Sequence, residues 1–132
     1  MILKNELYMV TGTNVTDTTA EYNLEMNARH FIYKAHFPGQ PITPGVCIVQ
    51  IAKELLEDYV QKPLEIVKIK NVKFLSVITP DETTSVTYQL AKVAIDEDSH
   101  TVKVQATVST LTEAKAKVSL VCSYSASPVA VQ

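Results

Sequence analysis

The ten residues His36–Gly45, HFPGQPITPG, hold three of the six prolines and two of the three glycines in the chain. Proline fixes the backbone φ angle, whereas glycine permits turns and the close approach of another group. The segment therefore predicts a rigid loop. The apolar stretch VCIVQIAKELL follows it directly, and this change in composition predicts a buried helix that begins where the loop ends.

The pattern of apolar residues predicts a single helix, at Val46–Val60. Pro44 would lie near its first turn, where a missing N–H costs little, and Thr43 is a candidate N-cap. Apolar residues cover more of its circumference than the single stripe of a surface helix, and Pro63 ends it. We therefore expect a helix that the rest of the fold encloses.

The remaining sequence predicts β-structure. Residues 7–27 are rich in threonine and β-branched residues and predict one or two strands with a turn near Asp17. After the helix, the stretch LEIVKIKNVKFLSVI and three stretches of alternating apolar and polar residues predict about four more strands. Such alternation is typical of antiparallel sheets with one buried face. The predicted fold is α+β, with a curved antiparallel sheet around one central helix.

Composition limits the class of protein. A chain of 132 residues predicts one domain, which we place at residues 1–125, with residues 126–132 as a frayed tail. The formal charge of −2 argues against a nucleic-acid partner. The sequence contains neither a signal-peptide pattern nor an apolar stretch long enough to insert into a membrane. Cys47 and Cys122 lack metal-ligand spacing and predict reduced thiols in a cytoplasmic protein.

The loop and the helix start together predict a chemical site. His36 is the one side chain of the loop that is suited to proton transfer near neutral pH. The helix start at Gly45 presents backbone N–H groups that have no intrahelical partner and carry a partial positive charge. A base beside such donors is suited to removing the proton next to a thioester carbonyl, because negative charge then develops on the oxygen.

Residues 35–50, AHFPGQPITPGVCIVQ, resemble the active-site segment of the hot-dog-fold 3-hydroxyacyl-[acyl-carrier-protein] dehydratases, the FabZ/FabA-like family. The pattern of that family is roughly G-H-F-P-G-x-P-x-x-P-G-V-x-x-x-E. The resemblance continues in NARHFIYKA before the loop and in LEIVKIKNVKFLSVITPDE after the helix. It implies a hot-dog fold and the conversion of 3-hydroxyacyl thioesters, carried by acyl carrier protein or coenzyme A, to trans-2-enoyl thioesters. The pathway would be fatty-acid or related lipid or polyene biosynthesis. The resemblance implies no cofactor, because the phosphopantetheine belongs to the substrate.

The resemblance also implies roles for individual residues. His36 would take the C2 proton of the substrate, and Gly45 would donate its backbone N–H to the thioester carbonyl. The backbone carbonyl of Ile42 would orient the imidazole, and Phe37 and Pro44 would complete the substrate-binding residues. In the family, an acid fourteen residues after the histidine faces the histidine of the other subunit, so a homodimer is implied.

Gln50 occupies the position of that acid. An amide has no proton to deliver at pH 7, and general acid catalysis typically contributes ~10²–10⁴ in rate. Three alternatives remain open: His36 returns its proton to the leaving hydroxyl, Glu54 supplies the acid one helical turn later, or the protein is a non-catalytic acyl-thioester-binding or partner subunit. A hot-dog thioesterase is a weaker alternative, because those families lack this loop.

Overall fold

The computed structural model describes residues 2–35 and 39–125, and within them it contains six strands and two helices. In chain order these are β1 Tyr8–Val15, β2 Ala20–Met26, α1 Ile32–Ala35, α2 Gly45–Val60, β3 Glu65–Phe74, β4 Ser85–Asp96, β5 Thr101–Ser109 and β6 Ala114–Ser123. The predicted α+β organisation is confirmed, and the long helix begins one residue before its predicted start. The predicted tail at residues 126–132 lies outside the described residues.

The six strands form one antiparallel sheet with the order β1-β2-β4-β5-β6-β3. Helix α2 and strand β3 separate β2 from β4 in the chain, yet these two strands pair. Strand β3 instead crosses to the far side of the sheet and pairs with β6. Within the described residues, β1 and β3 are therefore the two edge strands.

Helix α2 provides the centre of the hydrophobic core. Seven of its residues are buried, namely Cys47, Ile48, Val49, Ile51, Ala52, Leu55 and Leu56. The strands cover them with alternating side chains, and in β5 the buried positions are Val102, Val104, Ala106 and Val108. Fully burying one aliphatic side chain contributes about 1.5–3 kcal/mol, so this alternation holds the sheet against the helix. Neither helix of the described chain has the length and apolarity needed to cross a bilayer.

Two tyrosines of the sheet also bond directly to α2. The hydroxyl of Tyr88 donates to the backbone carbonyl of Ile48 at 3.0 Å, and the hydroxyl of Tyr22 donates to Asp58 Oδ2 at 2.9 Å. Burial, and next the hydrogen bond to Asp58, raise the pKa of Tyr22 well above its ordinary value. Both hydroxyls therefore remain hydrogen-bond donors near neutral pH. They attach α2 to the sheet at two points, one near each end of the helix.

The structure corrects two expectations, namely that the chain has a single helix and that Thr43 caps it. The segment before His36 contains the short helix α1, because Tyr33 turns into the core and is only 4% exposed. Thr43 is not the N-cap of α2. The N-cap is Pro44, which provides no side-chain hydrogen bond. Thr43 is buried instead, where its Oγ1 lies 2.9 Å from the hydroxyl of Tyr33.

Candidate active site

The start of helix α2 presents backbone donors that no side chain caps. The amides of Cys47 and Ile48 donate to the carbonyl of Pro44, at 3.0 and 3.2 Å. The amides of Gly45 and Val46 find no acceptor among residues 2–35 and 39–125. The helix dipole adds a partial positive charge at this end. The first turn is therefore suited to stabilising a negatively charged oxygen.

A cavity of about 400 Å³ opens beside this helix start. It lies between the end of the loop and the residues that follow strand β3. Most of the side chains that line it are apolar, and the lining consists of Ile42, Thr43, Pro44, Gly45, Ile48, Phe74, Leu75, Ser76, Val77 and Ile78. The donors of the helix start thus lie at the wall of an apolar space.

Residues Phe74–Ile78 form one side of this space, which we call the cavity wall. The amides of its second and third residues donate to the carbonyl of Lys115, at 2.9 and 3.2 Å. The ammonium of Lys115 donates to the carbonyl of Val77 at 3.0 Å. At the other end, the amide of Thr43 donates to the carbonyl of Ile78 at 2.8 Å. The wall is therefore tied to strand β6 and to the loop before any ligand binds.

Lys115 is buried and has a charged partner. Its Nζ lies 2.7 Å from Glu113 Oε1, and the residue is only 5% exposed. Glu113 also accepts a hydrogen bond from Ser76 Oγ at 3.0 Å. The hydrogen bond from Lys115, followed by the one from Ser76, lowers the pKa of Glu113 below its ordinary value. The ion pair thus completes the anchoring of the cavity wall.

Gly45 packs against the ring of Phe74. A Cβ atom added to Gly45 would lie 2.7 Å from Cζ of that ring. The sequence predicted this glycine as the point where a substrate carbonyl approaches the backbone. The structure adds a second reason for glycine at position 45, because the ring of Phe74 occupies the space that a side chain would need.

Gln50 is oriented by a carboxylate one helical turn away. Its Nε2 donates to Glu54 Oε2 at 2.8 Å. The same carboxylate accepts hydrogen bonds from the amides of Leu3 and Lys4 and from the hydroxyl of Tyr8, at 2.8, 2.9 and 2.9 Å. A carboxylate accepts hydrogen bonds and does not donate them, so the amide nitrogen of Gln50 must face it. Glu54 thereby acts as an acceptor that joins the N-terminal segment to α2.

The structure brings some of the predicted site residues together. Ile42, Pro44 and Gly45 line the cavity, whereas Gln50 is part-buried on the next turns of α2 and is not among the lining residues. His36 and Phe37 lie outside the described residues. The sequence interpretation did not single out Phe74 and Lys115. No cluster of three metal-ligating side chains occurs within residues 2–35 and 39–125.

Both cysteines are free and buried. Burial raises the pKa of the Cys47 thiol, and it raises the pKa of Cys122 to about 11. The predicted reduced thiols are therefore core groups of the fold.

An antiparallel sheet around one long helix, with a polarising helix start at an apolar cavity, defines a hot-dog protein. Residues 12–117 match the model of the ApeI-like family, described as ApeI dehydratase. Because this match covers most of the chain, the protein belongs to the ApeI-like dehydratase family. The resemblance to FabZ/FabA-like dehydratases and the predicted hot-dog fold are thereby confirmed.

Individual relatives agree with this family. The chain is 29% identical over 69 residues to the 3-hydroxyacyl-[acyl-carrier-protein] dehydratase FabZ of Clostridium acetobutylicum, which covers 47% of this chain and 49% of that protein. It is 35% identical over 71 residues to the FabZ dehydratase of Wolbachia pipientis wMel, with 46% of each chain covered. The chain thus matches about half the length of these curated relatives.

A solved structure shows the same fold. The dehydratase heterocomplex ApeI:P from Xenorhabdus doucetiae superimposes with a TM-score of 0.67 at 16% identity, over 87% of this chain and 96% of that one. At this identity the likeness concerns the fold alone.

Proposed function

We propose that this protein is a lyase that dehydrates 3-hydroxyacyl thioesters to trans-2-enoyl thioesters, in fatty-acid or related lipid or polyene biosynthesis. The observation that carries the proposal is the uncapped start of α2 at Gly45, which opens onto the apolar cavity in a chain of a dehydratase family. The acyl chain would occupy the cavity. The thiol part of the substrate would be the phosphopantetheine of an acyl carrier protein or of coenzyme A.

The first step is removal of a proton from C2. The thioester carbonyl accepts a hydrogen bond from the amide of Gly45, and the dipole of α2 stabilises the negative charge that develops on its oxygen. The imidazole of His36 takes the C2 proton. The carbonyl of Ile42 would orient that imidazole, while Phe37 and Pro44 contact the substrate.

The second step is loss of the C3 hydroxyl. The electron pair left by the C2 proton forms the C2–C3 double bond as the C3–O bond breaks. The proton on His36 passes to the departing hydroxide, which leaves as water, and the imidazole returns to its neutral state. Gln50 has no proton to supply, so its role here is to hold the hydroxyl by hydrogen bonding. This route needs only one proton-transferring side chain.

The site would be shared between two copies of the chain. Strand β3 is an edge strand, and its central residues 67–71 are all exposed. Val67 and Ile69 among them are 56% and 51% exposed. Pairing of β3 with the same strand of a second copy would cover these apolar side chains and complete the open edge. In such a homodimer, His36 of one copy would face Gln50 of the other.

A second candidate function is that of a non-catalytic binding or partner subunit. Two observations favour this partner-subunit function. Gln50 stands at the position of the family's acid, and Glu54 already accepts four hydrogen bonds and so is not available as a proton donor. A protein with the same fold has been solved as a dehydratase heterocomplex. The partner would then be a different hot-dog chain that supplies the missing carboxylic acid.

Hydration of crotonyl thioesters separates the two candidates. The purified protein is incubated with crotonyl-carrier protein and crotonyl-coenzyme A, and loss of the enoyl absorbance is followed. We expect hydration that is lost in His36→Ala and retained in His100→Ala, a histidine outside the loop. No hydration with either carrier, or with longer enoyl chains, would instead favour the partner subunit. Release of free thiol would indicate a thioesterase.

A further inference from the structure

Phe74 ends strand β3 beside the first turn of α2. Its Cζ and Cε2 atoms lie 2.7 and 3.0 Å from the position that a Cβ on Gly45 would take. The ring therefore fills the space directly over the glycine. Phe74 is also 55% exposed, so its ring forms part of the rim of the cavity and does not belong to the core.

The cavity next to this ring is suited to an apolar group. The polar side chains in its lining, Thr43 and Ser76, already have partners. Thr43 Oγ1 lies 2.9 Å from the hydroxyl of Tyr33, and Ser76 Oγ donates to Glu113 at 3.0 Å. The other side chains of the lining are hydrocarbon. An alkyl chain gains most by entering such a space, because it leaves water without giving up hydrogen bonds.

We propose that the ring of Phe74 limits the size of the acyl group that the cavity admits. This inference rests on the proposed function, since it takes the acyl chain of a thioester as the occupant. With the ring in place the cavity measures about 400 Å³, toward the small end of the ~300–1,000 Å³ typical of ligand pockets. Removal of the ring enlarges the cavity at its Gly45 end and leaves the buried core untouched. We therefore expect the wild-type protein to discriminate more strongly against longer acyl chains than a variant that lacks the ring.

Binding of saturated acyl-coenzyme A thioesters tests this without requiring turnover. Calorimetry gives the affinities of the butyryl, hexanoyl, octanoyl and decanoyl thioesters. Each methylene that becomes buried contributes about fourfold in affinity. In Phe74→Ala, the ratio of octanoyl to butyryl affinity should rise by about tenfold or more. Phe74→Leu, which keeps an apolar side chain, should give a smaller rise.

The matched control is Ile95→Ala. Ile95 is 49% exposed, close to the exposure of Phe74, but it pairs with Val102 at the opposite end of the sheet. Its removal should leave the ratio unchanged. Sedimentation of each variant verifies that all are compared in the same oligomeric state.

A double-mutant cycle tests the position of the ring itself. Gly45→Ala should destabilise the wild-type protein in urea, because the new methyl group collides with the ring. In the Phe74→Ala background the same change should cost less. Equal costs in both backgrounds would contradict the close packing on which the inference depends.

The outcomes also separate this inference from the proposed function. An octanoyl-to-butyryl ratio that is the same in wild type and Phe74→Ala overturns the role of Phe74, even in a protein that hydrates crotonyl thioesters. Failure of both proteins to bind any of the thioesters overturns it as well. Absence of hydration, with the expected change in the affinity ratio, overturns only the dehydratase.

Discussion

Glu54 joins the N-terminal segment, strand β1 and helix α2 through one carboxylate. Burial, followed by the hydrogen bond to Glu54, raises the pKa of Tyr8 well above its ordinary value. The Tyr8 hydroxyl therefore remains a donor to that carboxylate near neutral pH. Gln50 donates to the same group, so its amide nitrogen faces Glu54 and its carbonyl oxygen is turned away from it. The residue at the position of the family's acid is thus oriented by the fold.

Replacing the Gln50 amide by a carboxylic acid tests whether a proton donor held at this position speeds dehydration. Gln50→Glu places two carboxyl groups within hydrogen-bond distance, where repulsion between like charges favours the binding of one proton by the pair. We expect the rate of dehydration to rise at least about tenfold, since general acid catalysis contributes ~10²–10⁴. A new ionisation should appear in the pH profile of kcat. Stability should fall by about 1–3 kcal/mol at pH 8, and less at pH 5, where the pair binds the proton.

Two control variants distinguish the effect of an acid at position 50 beside Glu54 from the effect of an added negative charge alone. In Gln50→Glu/Glu54→Gln the carboxylate has a neutral amide beside it, so the new ionisation should move to lower pH. Gln105→Glu, at an exposed position of β5 opposite Ala91 and Ser119, should change neither rate nor stability. If Gln50→Glu abolishes an existing activity, the amide itself is required to hold the leaving hydroxyl.

At the residue scale the sequence placed Gly45 at the start of the helix, because the loop rich in proline and glycine ends there. The roles of Ile42 and Pro44 came from the resemblance to the dehydratases, and the structure shows that both residues line the cavity. Phe74 and Lys115 could not be assigned, since their contacts depend on where β3 and β6 pass the helix, which no local pattern encodes. The pair formed by Gln50 and Glu54 did leave a signal, because residues at i and i+4 share a helix face.

The cavity wall connects three elements of the fold. It continues strand β3, it is hydrogen-bonded to Lys115 of β6, and it accepts a hydrogen bond from Thr43 at the end of the loop. A wall anchored on both sides loses little entropy on binding. Lys115 provides contacts through both its backbone carbonyl and its ammonium group, so only the latter can be removed by substitution.

Lys115→Met should loosen the wall and leave the sheet intact. The carbonyl of Val77 and the carboxylate of Glu113 lose the ammonium donor, while Glu113 retains the hydrogen bond from Ser76. We expect a loss of about 1–3 kcal/mol in unfolding free energy. The pKa of Glu113 is lowered in the folded state, so its contribution is present above the ordinary glutamate pKa and is lost as pH falls through the folded value. The difference between variant and wild type should therefore narrow below about pH 4.

Urea denaturation at neutral and acidic pH measures this difference. Lys117→Met provides the control, because Lys117 lies two residues away on β6 and is exposed. It should have little effect at either pH. A difference for Lys115→Met that stays constant with pH would show that the ammonium does not stabilise the fold through Glu113.

At the scale of elements, the periodic segments were predicted best. Helix α2 and the later strands follow from apolar spacing that repeats over many residues. Helix α1 has only four residues, so it carries no periodic signal. Thr43 was assigned as a cap because its residue type favours that role. Its burial against Tyr33 depends on a tertiary contact, which outweighs the local preference.

Within the described residues, the edge strand β3 is left largely exposed by a single copy of the chain. Strand β3 has ten residues, and only Ile66 and Val72 are partly buried. Long exposed edges that carry apolar side chains are rare in monomers, because they pair with other chains. The sequence shows β3 as a strand but does not show that it lies at an edge, since that follows from the crossover between β2 and β4.

Ile69→Lys should therefore separate the two copies. A charge at this half-exposed position would face its own symmetry mate across the proposed interface, whereas in the isolated chain it would lie in solvent. We expect wild-type protein to sediment at twice the chain mass of 14.6 kDa and the variant at the chain mass. Because Gln50 would face the site of the other copy, hydration of crotonyl thioesters should fall together with the dimer fraction. Ile95→Lys, at a position of similar exposure, should alter neither quantity. A monomeric wild type with full activity would contradict a shared site, because each copy would then hold every group that the reaction needs.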